Sequence, residues 1–223
     1  MKAIVCNEWC KPEDLKVSEI KSPENEKDSV RINVYAAGVN FPDVLIIQGK
    51  YQFKPPFPFS PGSEVAGVIS EIGRNVKNFQ VGDKVMAVTG HGAFAEEICV
   101  SESKLTRIPE EMDFITAASM SLTYGTSTYA LFQRAQIKKD HTVLVHGSTG
   151  GVGITALEIS KAVGAKVIAT ASTDEVVITR IVDGNPVQQL VNKSDLLNQG
   201  FTEAQIASNN SGIDGVTFTA GGG

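Results

Sequence analysis

Cysteine is scarce in this chain: Cys6, Cys10 and Cys99 are the only three among 223 residues. Three thiols cannot all pair, and these are too scattered for a disulfide framework. Cys6 and Cys10 have no neighbouring pair of His or Cys in sequence to complete a tetrahedral metal site, so all three are read as ordinary reduced thiols. Positive charge is also in short supply. Lys and Arg number 20 against 25 Asp and Glu, a formal net charge of −5, which removes the general basic field that nucleic-acid binding needs. No stretch approaches the roughly 18 to 20 apolar residues of a bilayer-spanning helix. The opening MKAIVCNEW lacks the basic region and long apolar run of a secretory signal. A soluble, cytoplasmic protein with neither nucleic acid nor membrane as partner is the expectation. Hydrophobic residues at 42% and charged residues at 20% exclude a wholly disordered chain, and this length suits one large domain or two small ones.

What is present divides into two textures. The first hundred-odd residues read as β-rich: Val30 to Val34 alternates, Glu64 to Ile72 is a long run of Val, Ile, Ala and Gly, and Val85 to Val88 and Phe94 to Val100 add two short strands. Gly and Pro punctuate these runs at Pro42, Pro55-Pro56, Pro58, Pro61-Gly62, Gly82-Asp83 and Gly90. Strands at this spacing predict a barrel or a sandwich. Near residue 112 the pattern turns helical. Asp113 is an N-cap candidate three residues before Thr116, and Gly125 marks a break between two helices within Asp113 to Phe132.

Thr142 to His146 is a compact β-branched strand, Ile154 to Val163 a helix with Gly164 as its C-terminal cap, and Lys166 to Thr170 a second strand. Strand, Gly-rich turn, helix and strand together occupy about 30 residues, the size of one βαβ unit, over 143–172. After Glu175 the pattern weakens. Val176 to Val182 reads equally as strand or helix, Asp183-Gly184-Asn185-Pro186 as a turn, and Thr202 to Ile206 as part of a helix within 195–207. Asn209 to Gly212 is loop-like, and Val216 to Thr219 is a short last strand.

The turn Gly147-Ser148-Thr149-Gly150-Gly151-Val152-Gly153 carries the chemistry. A strand that feeds a Gly-rich turn into a helix N-terminus presents free backbone N–H groups and the helix dipole to an anion, and glycine lets a pyrophosphate approach closely. The flanking strand, helix and strand are the context such a motif requires. An acidic residue at the end of the second strand would select NAD. Here Ala171-Ser172-Thr173 stands there instead, which leaves room for a 2′-phosphate and favours NADP, although no Lys or Arg follows immediately.

The segments MKAIVCNEW, PEDLKVSEI, AAGVNFPDVLIIQGKY, PFSPGSEVAGVISEIG, VGDKVMA, LTYGTSTYAL and HGSTGGVG, in this order over roughly residues 1–175, resemble the zinc-independent medium-chain dehydrogenase/reductases, particularly the NADPH-dependent quinone oxidoreductases. The resemblance implies an α/β fold: a GroES-like, β-rich catalytic domain over 1–122, followed by a Rossmann-type, doubly wound parallel sheet over 123–223. That second domain is incomplete, with 176–223 divergent. It further implies hydride transfer from NADPH to a quinone or related α,β-unsaturated carbonyl. Where zinc-dependent relatives carry a Cys ligand this sequence has Asn40, and where they carry Gly-His-Glu it has Gly62-Ser63-Glu64; their lobe of closely spaced cysteines is missing. No metal is therefore expected, and His91, His141 and His146 are read as structural or exposed.

By resemblance, Asn40, Tyr51 and Thr126 lie at the nicotinamide side of the cleft. Ser148, Thr149, Gly150, Gly151 and Val152 hold the pyrophosphate, and Ser172 holds the adenosine 2′-phosphate. Tyr51 is the candidate for orienting or protonating an acceptor oxygen, because a phenol both donates and accepts; a loop aromatic that only packs is the open alternative. Asp43 is read as a structural acceptor rather than a base. After Glu175 the sequence VVITRIVDGNPVQQLVNKSDLL departs from the family pattern, and Ile213 to Phe218 with Gly221-Gly222 matches the family's fourth Rossmann strand only weakly. An open sheet edge invites association, so a homodimer is among the expectations. The alternative function is a truncated, non-catalytic dinucleotide-binding or interaction protein.

Overall fold

The computed structural model describes residues 1–170, 175–182, 185–192 and 216–221, the last three segments at the level of backbone. The chain forms two compact units, Met1–Leu122 and Thr123–Gly223. The helix expected within 195–207, the loop at Asn209 to Gly212, Asp183-Gly184 and Ser172 lie outside the described residues.

In the first unit, β1 (Lys2–Val5) pairs antiparallel with β2 (Lys16–Glu19). The main sheet has five antiparallel strands: β3 (Ser29–Gly38), β4 (Glu64–Ile72), β5 (Lys84–Val88), β6 (Glu97–Ser101) and β7 (Leu105–Arg107), in the order β6-β3-β4-β5-β7. Period-two burial explains them. Val30 and Ile32 of β3, Val85 and Ala87 of β5, and Ile98 and Val100 of β6 all point inward and meet Val65, Ile69 and Ala93 in one apolar cluster. β3 slips register against β4 at Arg31/Ile32 and again at Val34/Ala36. A bulge of this kind kinks a strand and re-aims the residues beyond it. Gly67 answers the second slip, since a Cβ there would strike the Asn33 carbonyl.

Two short helices lie in this unit. α1 (Phe41–Ile47) begins where Pro42 fixes the backbone and the Asp43 carboxylate accepts the Asn40 N–H at 2.9 Å. α2 (Phe114–Met120) is capped by Asp113, which accepts the Thr116 N–H at 2.8 Å, the cap read from the sequence. The predicted break at Gly125 is displaced. α2 ends at Met120, and α3 (Thr123–Thr128) runs straight through Gly125. The interruption comes at Leu122, whose N–H is taken by the Glu64 carboxylate at 2.7 Å. Gly125 has open space around the place of a Cβ and needs no unusual angle.

In the second unit, α3 continues into a wider π turn at Tyr129–Arg134. Then β8 (Thr142–His146), α4 (Gly151–Val163) and β9 (Lys166–Thr170) form the expected βαβ unit, with β8 and β9 parallel from Thr142↔Lys166 to His146↔Thr170. α4 starts three residues earlier than the periodicity indicated, because its first turn is made of the glycines themselves. Gly164 closes it in the left-handed region at φ 85°, and the Gly164 and Ala165 N–H groups bond back to Lys161 and Ser160.

The ambiguous stretch after Glu175 is strand: β10 (Glu175–Val182) and β11 (Asn185–Asn192) form an antiparallel hairpin. Only two residues separate them, too few for the crossover that a parallel pair needs. β12 (Val216–Gly221) takes the other edge of β10, also antiparallel, giving the order β11-β10-β12. The likeness of this last strand to a fourth parallel Rossmann strand is thereby corrected, since the hairpin leaves an unpaired antiparallel edge that β12 fills. Among the described residues, no helix is long and apolar enough to cross a membrane.

Candidate functional site

The glycine turn joins the carboxyl end of β8 to the N-terminus of α4. Gly147 sits at φ 63°, where a side chain would be strained. The Ser148 N–H donates to the Thr170 carbonyl at 3.0 Å, tying the turn to the end of β9, and Gly150 N–H closes onto Gly147 at 3.2 Å. Ser148 is buried, whereas Gly147, Gly150, Gly151 and Val152 are not, so the backbone of the turn faces outward at the start of the helix. Gly153 is compelled by packing: a Cβ there would strike the Gly147 carbonyl and stand 2.8 Å from Ser148 Cα. Ile154 donates the first helical bond, to Gly150 at 2.9 Å. The amides of Gly151, Val152 and Gly153 precede that bond, which is the arrangement that attracts an anion.

Thr149 supplies the second observation. Its hydroxyl is buried and has no hydrogen-bond partner. A buried polar group left unmatched costs about 1–3 kcal/mol. An anion seated at the first turn of α4 would bring the missing oxygen, so the residues present fit a phosphate-bearing ligand.

A polar seam locks α3 to α4. Ser127 Oγ donates to the Val152 carbonyl at 2.9 Å and lies 2.7 Å from Thr155 Oγ1, which in turn reaches the Thr123 carbonyl at 3.2 Å. Ser127 and Thr155 are both buried. At the exposed end of the seam, Tyr124 donates to Glu158, and that bond, with minor contributions from burial and the Glu158 charge, raises the phenol's pKa. Sequence reasoning missed this seam. The available signal was a small hydroxyl residue on the inward face of each helix. Thr126, one residue from Ser127, is exposed on α3. His146 pairs with Thr170, Nδ1 to Oγ1 at 2.8 Å, at the carboxyl ends of the two parallel strands.

In the first unit, Asn40 enters a network around two buried carboxylates. Its Nδ2 donates to Glu64 at 3.1 Å, and the other Glu64 oxygen accepts from Leu122 N–H. Asp43 accepts from Ser63 Oγ at 2.7 Å as well as from Asn40 N–H. Glu64 is 1% exposed and lies so close to β3 that a Cβ on Gly38 would come within 2.6 Å of it, which accounts for glycine there. Both acids are thus engaged by neutral donors. Among the described residues no three His, Cys, Asp or Glu side chains gather as a metal site. His91 is flanked by Phe53 and Phe59, and burial lowers its pKa. Tyr51 is half-buried and packs on the cluster of Cys6, Ile46, Ile47 and Phe59.

A strand-bulged antiparallel sheet followed by a βαβ unit with a glycine turn defines the class of GroES-like proteins with a dinucleotide-type second unit. Residues 26–110 match the alcohol dehydrogenase GroES-like domain family. Over a longer span, the chain is similar to quinone oxidoreductases. It is 40% identical over 177 residues to the quinone oxidoreductase of Homo sapiens, covering 78% of this chain and 54% of that one. Among solved structures, the human synaptic vesicle membrane protein VAT-1 homolog-like protein superposes with a TM-score of 0.75 at 33% identity, over 78% of this chain and 56% of the other. The quinone oxidoreductase of Thermus thermophilus, solved also in complex with NADPH, gives 0.67 at 32% identity, over 77% and 54%. The chain spans about half the length of the relatives it matches.

Proposed function

We propose that this protein is a zinc-independent oxidoreductase that transfers hydride from NADPH to a quinone or a related α,β-unsaturated carbonyl. The observation that carries the reading is the α4 N-terminus, with its outward-facing glycine backbone and the unmatched Thr149 hydroxyl. The likeness to quinone oxidoreductases supports it. The first unit is assigned as the substrate-side domain over 1–122, the second as the dinucleotide-binding domain over 123–223.

Ser148, Thr149, Gly150, Gly151 and Val152 would hold the pyrophosphate through backbone N–H groups and one hydroxyl. Ser172, outside the described residues, is assigned to the adenosine 2′-phosphate and to the choice of NADP. Asn40 and Thr126 are assigned to the nicotinamide. The hydride itself is chemistry that the bound nicotinamide supplies. The chain's own work is to hold, orient and exclude water, and Tyr51 orients or protonates the acceptor oxygen through its phenol. No metal enters this reading, because Asn40 stabilises Glu64 and Ser63 stabilises Asp43 without a cation. A cytoplasmic location completes it. So does a homodimer, for which the exposed Leu144 and Ile168 on the β8–β9 sheet offer an apolar face.

The antiparallel order β11-β10-β12 favours a second reading, dinucleotide binding without turnover, because these strands do not extend the parallel sheet. One experiment separates the two. NADPH is titrated by its fluorescence, then 1,4-benzoquinone is added and cofactor oxidation followed. Quinone-dependent oxidation is the expected result. Binding without oxidation leaves the second reading standing, and no binding ends both.

A further inference from the structure

Cys6 and Cys10 stand with their sulfurs 3.7 Å apart. A disulfide needs about 2.05 Å, so closure asks for an approach of under about 2 Å. The pair is held by the fold rather than meeting by chance. Cys6 exchanges both backbone bonds with Phe59, at 2.8 and 3.1 Å, and Cys10 N–H donates to Ile47 at 2.9 Å, the last residue of α1. Asn7, Glu8 and Trp9 form the short loop between these anchors.

We propose that Cys6 and Cys10 are an oxidisable dithiol that closes reversibly into a disulfide, with a hydroperoxide as the co-reactant. The two thiols are unequal. Cys6 is buried and its thiol donates to the Glu8 carbonyl at 3.0 Å; Cys10 is only partly covered and is the point of entry. The Cys10 thiolate attacks one peroxide oxygen: the S–O bond forms, the O–O bond breaks, and the released hydroxide leaves as water after taking the thiol proton. The product is a sulfenic acid. Cys6 sulfur then attacks Cys10 sulfur. The S–S bond forms, the S–O bond breaks, and hydroxide leaves as water with the Cys6 proton. Two thiols and one hydrogen peroxide give one disulfide and two waters. Burial pushes the Cys6 thiol up to about 12, so this second step quickens as pH rises.

Closure has a built-in reporter. Trp9, the chain's single tryptophan, lies inside the loop. Its ring covers Gly49, where a Cβ would come within 2.8 Å of it, and meets Phe57 edge-on at 4.5 Å between centroids. Drawing Cys10 toward Cys6 shortens the loop and shifts that ring.

The test treats the reduced full chain with hydrogen peroxide and reads its mass, its peptide map and its tryptophan emission. The expected result is loss of two hydrogens, mapped to a Cys6–Cys10 bridge, with a change in emission that dithiothreitol reverses. Cys99→Ser behaves as the parent. Cys10→Ser, a change at a partly exposed position, shows neither the loss nor the emission change. A bridge through Cys99, a link between two chains, sulfinic acid at Cys10 without a bridge, or no change of mass would each overturn the proposal. None of these readouts depends on cofactor or quinone.

Discussion

Thr149 puts a hydroxyl inside the turn where no protein group answers it. Valine has the same shape without the oxygen, so Thr149→Val is expected to leave stability unchanged or slightly raised while weakening NADPH roughly ten- to a hundredfold. That range corresponds to losing a hydrogen bond to a charged group, about 1.5–3 kcal/mol. Denaturant unfolding and fluorescence titration on the same sample check both halves. Glu64 is the opposite case, fully matched by Asn40 Nδ2 and Leu122 N–H. Glu64→Gln offers one oxygen to two donors and turns its amide against the other. It is expected to cost about 1–3 kcal/mol, read from the urea midpoint. Asn40 and Glu64 were both picked out in the sequence, as residues at metal-ligand positions. Their bond to each other was not, because 24 residues separate them and no local pattern encodes a long-range donor and acceptor.

At the scale of elements, short-range chemistry proved legible. The Asp113 cap and the Gly164 stop depend on residues a few positions apart, and the β8-α4-β9 unit on three consecutive segments each with its own local pattern. The α3–α4 seam was not, since Ser127 and Thr155 are 28 residues apart and look like ordinary helix residues. Nor was the antiparallel order of β10–β12: Val216 to Thr219 reads as a last strand, but which edges meet is not written in the strands' own composition. Asp113 also carries a pH prediction. Its carboxyl is held below the usual range chiefly by the Thr116 backbone N–H, and Glu102 likewise by the Asn78 and Lys77 backbone N–H groups. A depressed folded-state pKa means stabilisation that is complete above the unfolded value, about 4, and is lost as pH falls through the folded one. The thermal midpoint should therefore decline below about pH 4, and decline less in Asp113→Asn. Equal acid sensitivity of the two proteins would contradict the cap's role.

For the molecule as a whole, one proposal is central: the turn at the start of α4 would receive the pyrophosphate of NADPH. Gly150 allows that role to be separated from folding. It is the N-cap of α4 at φ −71°, and a Cβ there would lie 3.6 Å from the Gly147 carbonyl, an ordinary contact. Aspartate is a favoured N-cap and suits the helix dipole, so Gly150→Asp should keep or raise thermal stability. Its carboxylate would stand where the phosphate charge belongs. The decisive measurement is a parallel titration of NADPH into the full chain and into Gly150→Asp. Binding by the parent, weakened at least about tenfold in the variant, a cost of about 1.4 kcal/mol or more, is the predicted result. Equal affinity in the two, or no binding by the parent, would contradict it.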